Sequence, residues 1–202
     1  MKKIVFVGSG AIATALGNVL AIKNLDDVTM LSVEDEVVEA VNNQHYNINY
    51  FPNVRLSDNL KATKDKNLLR DADVIFMAIP STAVVDYLND NQLFVNPSAL
   101  IVNLAKGFGN DSRIIPDCLA DFMPNPLMTL KGPSFAREII NRQETGLTAA
   151  SNHNELYHIV KEMFNGTTVR TDFTNDVAGV EYVSILKNIY AILIGMVDAN
   201  FD

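Results

Sequence analysis

The sequence predicts an α/β fold, a doubly wound and mostly parallel sheet with helices on its faces. Three observations carry this. Short apolar, often β-branched runs alternate with stretches of helical periodicity. The first run (Ile4, Val5, Phe6, Val7) breaks at Gly8-Ser9-Gly10 and passes at once into the small helix formers Ala11, Ile12, Ala13, Ala15 and Leu16. Later runs end on turn or small residues at Pro80-Ser81, Lys106-Gly107 and residues 132–134. In a parallel sheet such strand ends gather along one edge, where ligands bind.

The first element reads as a strand buried on both faces. Gly8, Gly10 and Ala13 fit the G-x-G-x-x-G/A spacing, which carries meaning in a strand–turn–helix context. Gly8 allows a tight turn. Gly10 lets the backbone approach a pyrophosphate, and Ala13 lets the helix pack close to the strand. With Ser9 between the glycines, the free N–H groups and positive dipole end of the helix attract phosphates. An ordinary glycine turn is the plain alternative. The Rossmann-like dinucleotide reading is favoured by the clean strand before the turn and the clean helix after it.

Residues 28–31 form a second strand candidate, and a helix begins at Val33-Glu34-Asp35-Glu36 and runs to about Val41. Glu34 follows Gly10 by about two dozen positions, where an acid binds adenosine ribose hydroxyls and disfavours a 2′-phosphate. A solvated acid at a helix start fits equally. The lean is towards NAD, with NADP left open. Residues 42–52, NNQHYNINYFP, read as a polar and aromatic loop, with His45 in a loop or capping role. No Cys or carboxylate stands at ligand spacing from it, so no metal site is expected. Residues 60–63 suggest a short strand and 65–70 a short helix. Residues 73–80 are the clearest later strand, stopped by Pro80, with Ser81 placed to cap a helix through about Leu88. Residues 100–104 and 127–130 read as buried strands. Phe135, Ala136, Ile139 and Ile140 mark a helix, and strands at 146–150 and 167–171 flank a helix at about 154–164.

Composition narrows the function classes. The 202 residues are 48% hydrophobic and 20% charged, a globular balance. A net charge of −8 without basic clusters argues against nucleic acid. Cys118 is the single cysteine, so no intramolecular disulfide forms and a reducing compartment is expected. The apolar run before Gly8 is too short for a secretory signal, and residues 189–197 are too short for a membrane span. The expectation is a soluble cytoplasmic protein without a membrane span.

Residues 176–199 change character, forming a long helical run. At about 100° per residue, Ser184, Lys187, Asn188, Ala191, Gly195 and Asp198 share one face, with Glu181 at its border. The other faces are apolar, so the helix is expected to be buried. A lysine there is costly unless paired, and burial moves its pKa towards the range of a general base. The competing reading pairs Lys187 with Glu181 or Asp198.

Taken together, GSGAIATAL (8–16), the N-x-x-H-x-N-x-x-Y-x-P pattern (42–52), AIPS (78–81), AKG (105–107), KGPSFARE (131–138) and TNDVAGVEYVSILKNIYAILIGMVDA (174–199) resemble the NAD(P)-dependent glycerol-3-phosphate dehydrogenases. The resemblance implies interconversion of sn-glycerol 3-phosphate and dihydroxyacetone phosphate, feeding glycerophospholipid synthesis. It makes Lys187 the acceptor of the C2 hydroxyl proton as hydride leaves for the nicotinamide, with Asn188 beside it. Lys106 would face both cofactor and substrate, Gly132 and Ser134 the substrate, and Ala136 the cofactor. Ala11 and Ile12 would belong to the pyrophosphate turn, and Pro80 joins the cofactor side by its place at a strand end.

The sequence departs from the family at Ile12-Ala13, where an aromatic and a glycine are usual. It departs again at Val33, where users of NADPH often carry a basic residue. The resemblance also implies a dinucleotide-binding domain over 1–175. Residues 176–202 would start an otherwise missing all-helical substrate domain, so this chain is expected to bind cofactor but to be inactive alone. A homodimer is left open. Two other readings stand beside it: a ketopantoate-reductase-like or other hydroxyacid dehydrogenase, and a non-catalytic nucleotide-binding module.

Overall fold

The computed structural model describes residues 1–201, apart from the side chains of residues 188, 200 and 201. Its strands are β1 Lys3–Val7, β2 Asp27–Leu31, β3 Leu60–Thr63, β4 Val74–Met77, β5 Leu100–Asn103, β6 Leu127–Lys131, β7 Thr145–Ala150 and β8 Val169–Thr174. They form one sheet in the order β3-β2-β1-β4-β5-β6-β7-β8. The first six pair in parallel, the strand order of a doubly wound Rossmann-type fold. β7 turns antiparallel to β6, and β8 runs parallel to β7. The helices are α1 Ala11–Lys23, α2 Asp35–Glu39, α3 Ser81–Asn91, α4 Ile115–Ala120, α5 Ala136–Ile140, α6 Tyr157–Phe164 and α7 Val177–Phe201.

The apolar strands are continuous runs because both sheet faces are covered. Ile4, Phe6 and Phe76 face α1, α5 and α6, where Leu16, Ile139 and Phe164 meet them. The Phe6 and Phe76 rings stack 4.6 Å apart. Val5, Val7, Ile75 and Met77 face α3 and α4 with Val84, Leu88 and Leu119. Each such side chain, fully buried, stabilises the fold by about 1.5–3 kcal/mol.

Several local details differ from the sequence reading. The second helix is short, and it passes into a π-turn, Ala40–Gln44, that ends on His45 in the left-handed region. Asn42 explains the turn. Its side chain donates to the Ala62 carbonyl at 2.8 Å and accepts from the Ala62 amide at 2.9 Å, engaging edge strand β3. Ser81 does not cap α3. It is already the first helical residue, and Pro80 holds the cap position without a side-chain bond. α4 is an element with no counterpart in the sequence reading. β8 starts late because the Thr167 hydroxyl takes the Val169 amide at 3.1 Å and makes a local turn first.

The reversal at β7 decides where α7 goes. β8 ends near the starting end of β6, where Ser151 donates to the Leu127 carbonyl and Asn175 donates to the Ser151 carbonyl. From there α7 climbs the sheet. Ten residues of helix rise about 15 Å, and the four steps of β6 cover about 13 Å, so Lys187 arrives level with the carboxyl end of β6.

The expectation that α7 is buried throughout is corrected. Glu181 and Ser184 are buried against the sheet, while Tyr182, Val183, Leu186 and most side chains beyond are exposed. Within the described residues only the first turns have a sheet to lie on. The continuous apolar helix also exceeds the stretch weighed from sequence. Val177–Ala199, at mean hydropathy 1.5, is long and apolar enough by length and composition to cross a membrane. Its first turns seat Glu181 and Ser184 against the sheet, where Glu181 meets Thr129 of β6.

Candidate active site

The site begins at the turn after β1. Gly8 donates its amide to the Leu31 carbonyl at 2.9 Å and has φ +110°, and a Cβ there would lie 2.7 Å from the Ala78 carbonyl oxygen. Only glycine fits this turn. Gly10 is different. Its φ is −70°, and the nearest atoms to a Cβ would be those of the Tyr50 ring at 3.9 Å. Nothing in the protein demands glycine there, so the space it leaves is available to something outside the chain. No side chain caps α1, which leaves the N–H groups of its first turn directed at that space. Ala13 is fully buried and packs α1 on the core.

The turn is held from behind. Asn47, fully buried, donates to the Ser9 carbonyl and to the Thr14 hydroxyl oxygen, both at 2.8 Å. Ser9 and Ser32 share a hydroxyl hydrogen bond of 2.8 Å, and the Glu34 amide donates to the Ser32 oxygen at 3.1 Å. The glycine turn and the end of β2 are thus one bonded unit.

Three cavities open along this edge. The first, about 420 Å³, is lined by Gly8, Ser9, Gly10, Val33, Glu34, Tyr50, Lys64, Lys66 and Pro80. Val33 is exposed, and the Glu34 carboxylate lies 3.4 Å from the Asn49 amide nitrogen. Lys64 pairs with Asp35 at 2.8 Å, and Lys66 donates to Asn91 at 3.1 Å. The second, about 480 Å³, gathers Gly10, Ala11, Ile12, Tyr50, Pro80, Lys106, Gly132, Ser134 and Ala136. The third, about 600 Å³, lies between the sheet and α7 and holds Lys131, Gly132, Ser184 and Lys187. Gly10 and Pro80 join the first two, and Gly132 and Lys131 the last two.

The structure therefore brings together the strand-end residues expected to converge. Lys187 is half-buried rather than buried, and its ammonium stands over the Phe135 ring, 4.8 Å from the centroid. It does not pair with Glu181. That carboxylate is taken by Lys131 at 3.4 Å. The Asn188 side chain lies outside the described residues. Lys106 stands at the rim, and partial burial of its amine, with the charge of Lys187, lowers its pKa. Lys131 is almost completely buried, which pushes its pKa down to about 8 against the opposing pull of Glu181.

Sequence reasoning carried Tyr50, Asn47 and Lys131 inside its motifs and gave none of them a role of its own. Tyr50 belongs to an aromatic loop whose proximity to Gly10 leaves no periodic trace. Lys131 had a usable signal, a lysine closing an apolar strand just before Gly-Pro.

An uncapped helix start, an open glycine and a groove leading to two lysines suit a dinucleotide and a small anionic partner. A family model described as NAD-dependent glycerol-3-phosphate dehydrogenase N-terminus matches residues 3–157. A glycerol-3-phosphate dehydrogenase, NAD(P)+, from Leptospira biflexa is 36% identical over 202 residues, covering 97% of this chain and 60% of that protein. The crystal structure of glycerol-3-phosphate dehydrogenase from Coxiella burnetii has a TM-score of 0.90 at 29% identity, covering 98% of this chain and 61% of that one. A ketopantoate reductase from Ralstonia eutropha, at TM-score 0.64 and 14% identity over 87% of this chain and 57% of that one, shares the fold alone.

Strand order and glycine turn together define the class, a doubly wound domain of the Rossmann type. The chain spans about 60% of the length of the curated relative it matches. Matched over residues 3–157, it belongs to the NAD-dependent glycerol-3-phosphate dehydrogenase N-terminus family.

Proposed function

We propose that this chain is the cofactor-binding part of a cytoplasmic NAD(P)-dependent glycerol-3-phosphate dehydrogenase. In this reading the whole protein interconverts sn-glycerol 3-phosphate and dihydroxyacetone phosphate and feeds glycerophospholipid synthesis. Residues 1–175 form the dinucleotide domain, and 176–202 begin a helical substrate domain that covers the exposed apolar side of α7. The observation that carries the reading is Gly10. Its open space faces the uncapped start of α1 and leads along one groove to Lys106 and Ser134.

The residues divide the work by position. Amides at Gly10, Ala11 and Ile12 receive the pyrophosphate, with Gly8, Ser9 and Ala13 shaping the turn. Glu34 accepts from the adenosine ribose hydroxyls, beside the exposed Val33. Pro80 and Ala136 line the path to the reacting end. A nicotinamide bound there supplies or accepts the hydride at C2. Lys187, in its neutral form, takes the C2 hydroxyl proton, and in reverse its ammonium returns a proton to the carbonyl oxygen. Lys106 places a positive charge beside the same oxygen and the substrate's anionic end, with Gly132 and Ser134 lining the substrate side. Asn188 stands next to Lys187 in sequence as a polar contact.

Calorimetric titration of this chain with NADH, and separately with NADPH, tests the reading. Binding of NADH ahead of NADPH is expected, and binding of neither refutes the cradle. Turnover of glycerol 3-phosphate by the 202-residue chain at the rate of a full-length relative would refute the assignment of further substrate contacts to the helical domain.

A further inference from the structure

The reading above leaves Lys131 and Glu181 without a role, and both are strongly buried. Lys131 is 3% exposed at the end of β6, and Glu181 is 0% exposed in the second turn of α7. Their charged atoms stand 3.4 Å apart. The same Glu181 oxygen accepts from the Asn103 amide at 2.8 Å and from the Thr129 hydroxyl. The Lys131 ammonium also donates to the Ala105 carbonyl. One buried polar knot therefore ties the end of β5, the end of β6 and α7.

Each tied segment carries a residue of the groove. Ala105 precedes Lys106, Lys131 precedes Gly132, and Glu181 stands six positions before Lys187, about 9 Å along the helix axis. A buried ion pair is weak evidence for stability, because packed apolar side chains of the same volume do as well or better. What a carboxylate with three donors adds is a single arrangement. An apolar contact tolerates a small slide or turn of α7, and this one does not.

We propose that Lys131 and Glu181 are positioning residues that fix the separation of Lys106 and Lys187 across the substrate end of the groove. The proposal rests on the reading that these two lysines act together on substrate. Its geometry has its own readout. Partial burial first, and then the charge of Lys187, lower the pKa of Lys106, so a displacement of α7 from this edge raises it.

The experiment is an NMR titration of reductively methylated lysines in this chain, with Lys187→Met marking the share of the Lys106 shift that the Lys187 charge causes. Thr129→Val is the decisive variant, because it removes a bond to Glu181 without changing any charge. A loosened α7 raises the Lys106 pKa, whereas a knot without a positioning role leaves it where it is. Glu181→Gln is expected to move Lys106 upward as well, with the discharge of Lys131 contributing to the change. Folded variants in which Lys106 titrates as in the wild type overturn the proposal. So does a Lys187→Met chain with Lys106 unmoved, and so does failure of both anchor variants to fold, which makes the knot purely structural. NADH titration of the same samples judges the functional reading separately. A chain that binds no NADH refutes that reading while the Lys106 shift still decides the positioning role.

Discussion

Replacing Gly10 by alanine separates stability from binding. The backbone there, φ −70° and ψ −176°, is open to any residue, and the added methyl meets nothing closer than Tyr50 at 3.9 Å. Restricting the unfolded chain contributes about 0.4–1 kcal/mol of stability, and placing alanine at a helix N-cap costs about 0.5–1 kcal/mol. The two nearly cancel, so urea unfolding of Gly10→Ala is expected within about 1 kcal/mol of the wild type. Binding is not spared. In the proposed reading the methyl would stand where phosphate oxygens meet the helix amides, and losing one charge-assisted hydrogen bond costs about 1.5–3 kcal/mol. NADH affinity by calorimetry should fall roughly ten- to a hundredfold. Gly8→Ala is the contrast. It combines φ +110° with a contact of 2.7 Å to a backbone oxygen, and about 1–3 kcal/mol of stability should be lost to backbone strain alone. A Gly10→Ala chain that binds NADH like the wild type, or is destabilised as much as Gly8→Ala, refutes the reasoning.

Other perturbations reach other parts of the groove. Asn47→Ala leaves the buried Ser9 carbonyl without its amide donor and should cost about 1–3 kcal/mol in chemical denaturation, with weaker NADH binding as the turn loosens. Glu34→Gln removes a negative charge from the cavity beside Val33, the end proposed to hold the adenosine ribose. The ratio of NADPH to NADH affinity is expected to rise, and an unchanged ratio would place the 2′-position away from Glu34. Lys131 gives a pH signature. Its folded pKa is about 8 against an ordinary 10.5, so between those values the unfolded chain holds a proton that the folded chain does not. Stability from this group therefore rises with pH across that window, and its penalty is fully present below it. Relative to Lys131→Met, the wild type should gain about 3 kcal/mol from the lower to the upper limit, measured as urea unfolding at each pH. A pH-independent difference would refute the assignment.

The sheet was legible because its strands are buried on both faces, and uninterrupted apolar runs such as Val74–Met77 leave little else to be. The glycine turn was legible because backbone demands are local. Bonds across long sequence separations were not. Asn47 reaches Ser9 thirty-eight positions away, and Glu181 reaches Thr129 fifty-two away. Neither separation follows a period of 2 or 3.6. Helical periodicity placed Glu181 beside the polar face of Lys187 and so suggested a pair along the helix. The sheet supplied a buried competitor in Lys131, which that projection cannot contain. For α7, the apolar pattern spoke of what the helix is suited to touch, while the described residues cover only its foot.

The reversal of β7 and β8 also sets a timetable. A chain made from its amino end releases the glycine turn and the parallel strands early and folds by units as it emerges. Lys187 follows only after the reversed pair is laid down and α7 has turned back along the sheet. A nascent chain thus completes the glycine turn and the cavity beside it well before Lys187 takes its place at the far end of the groove.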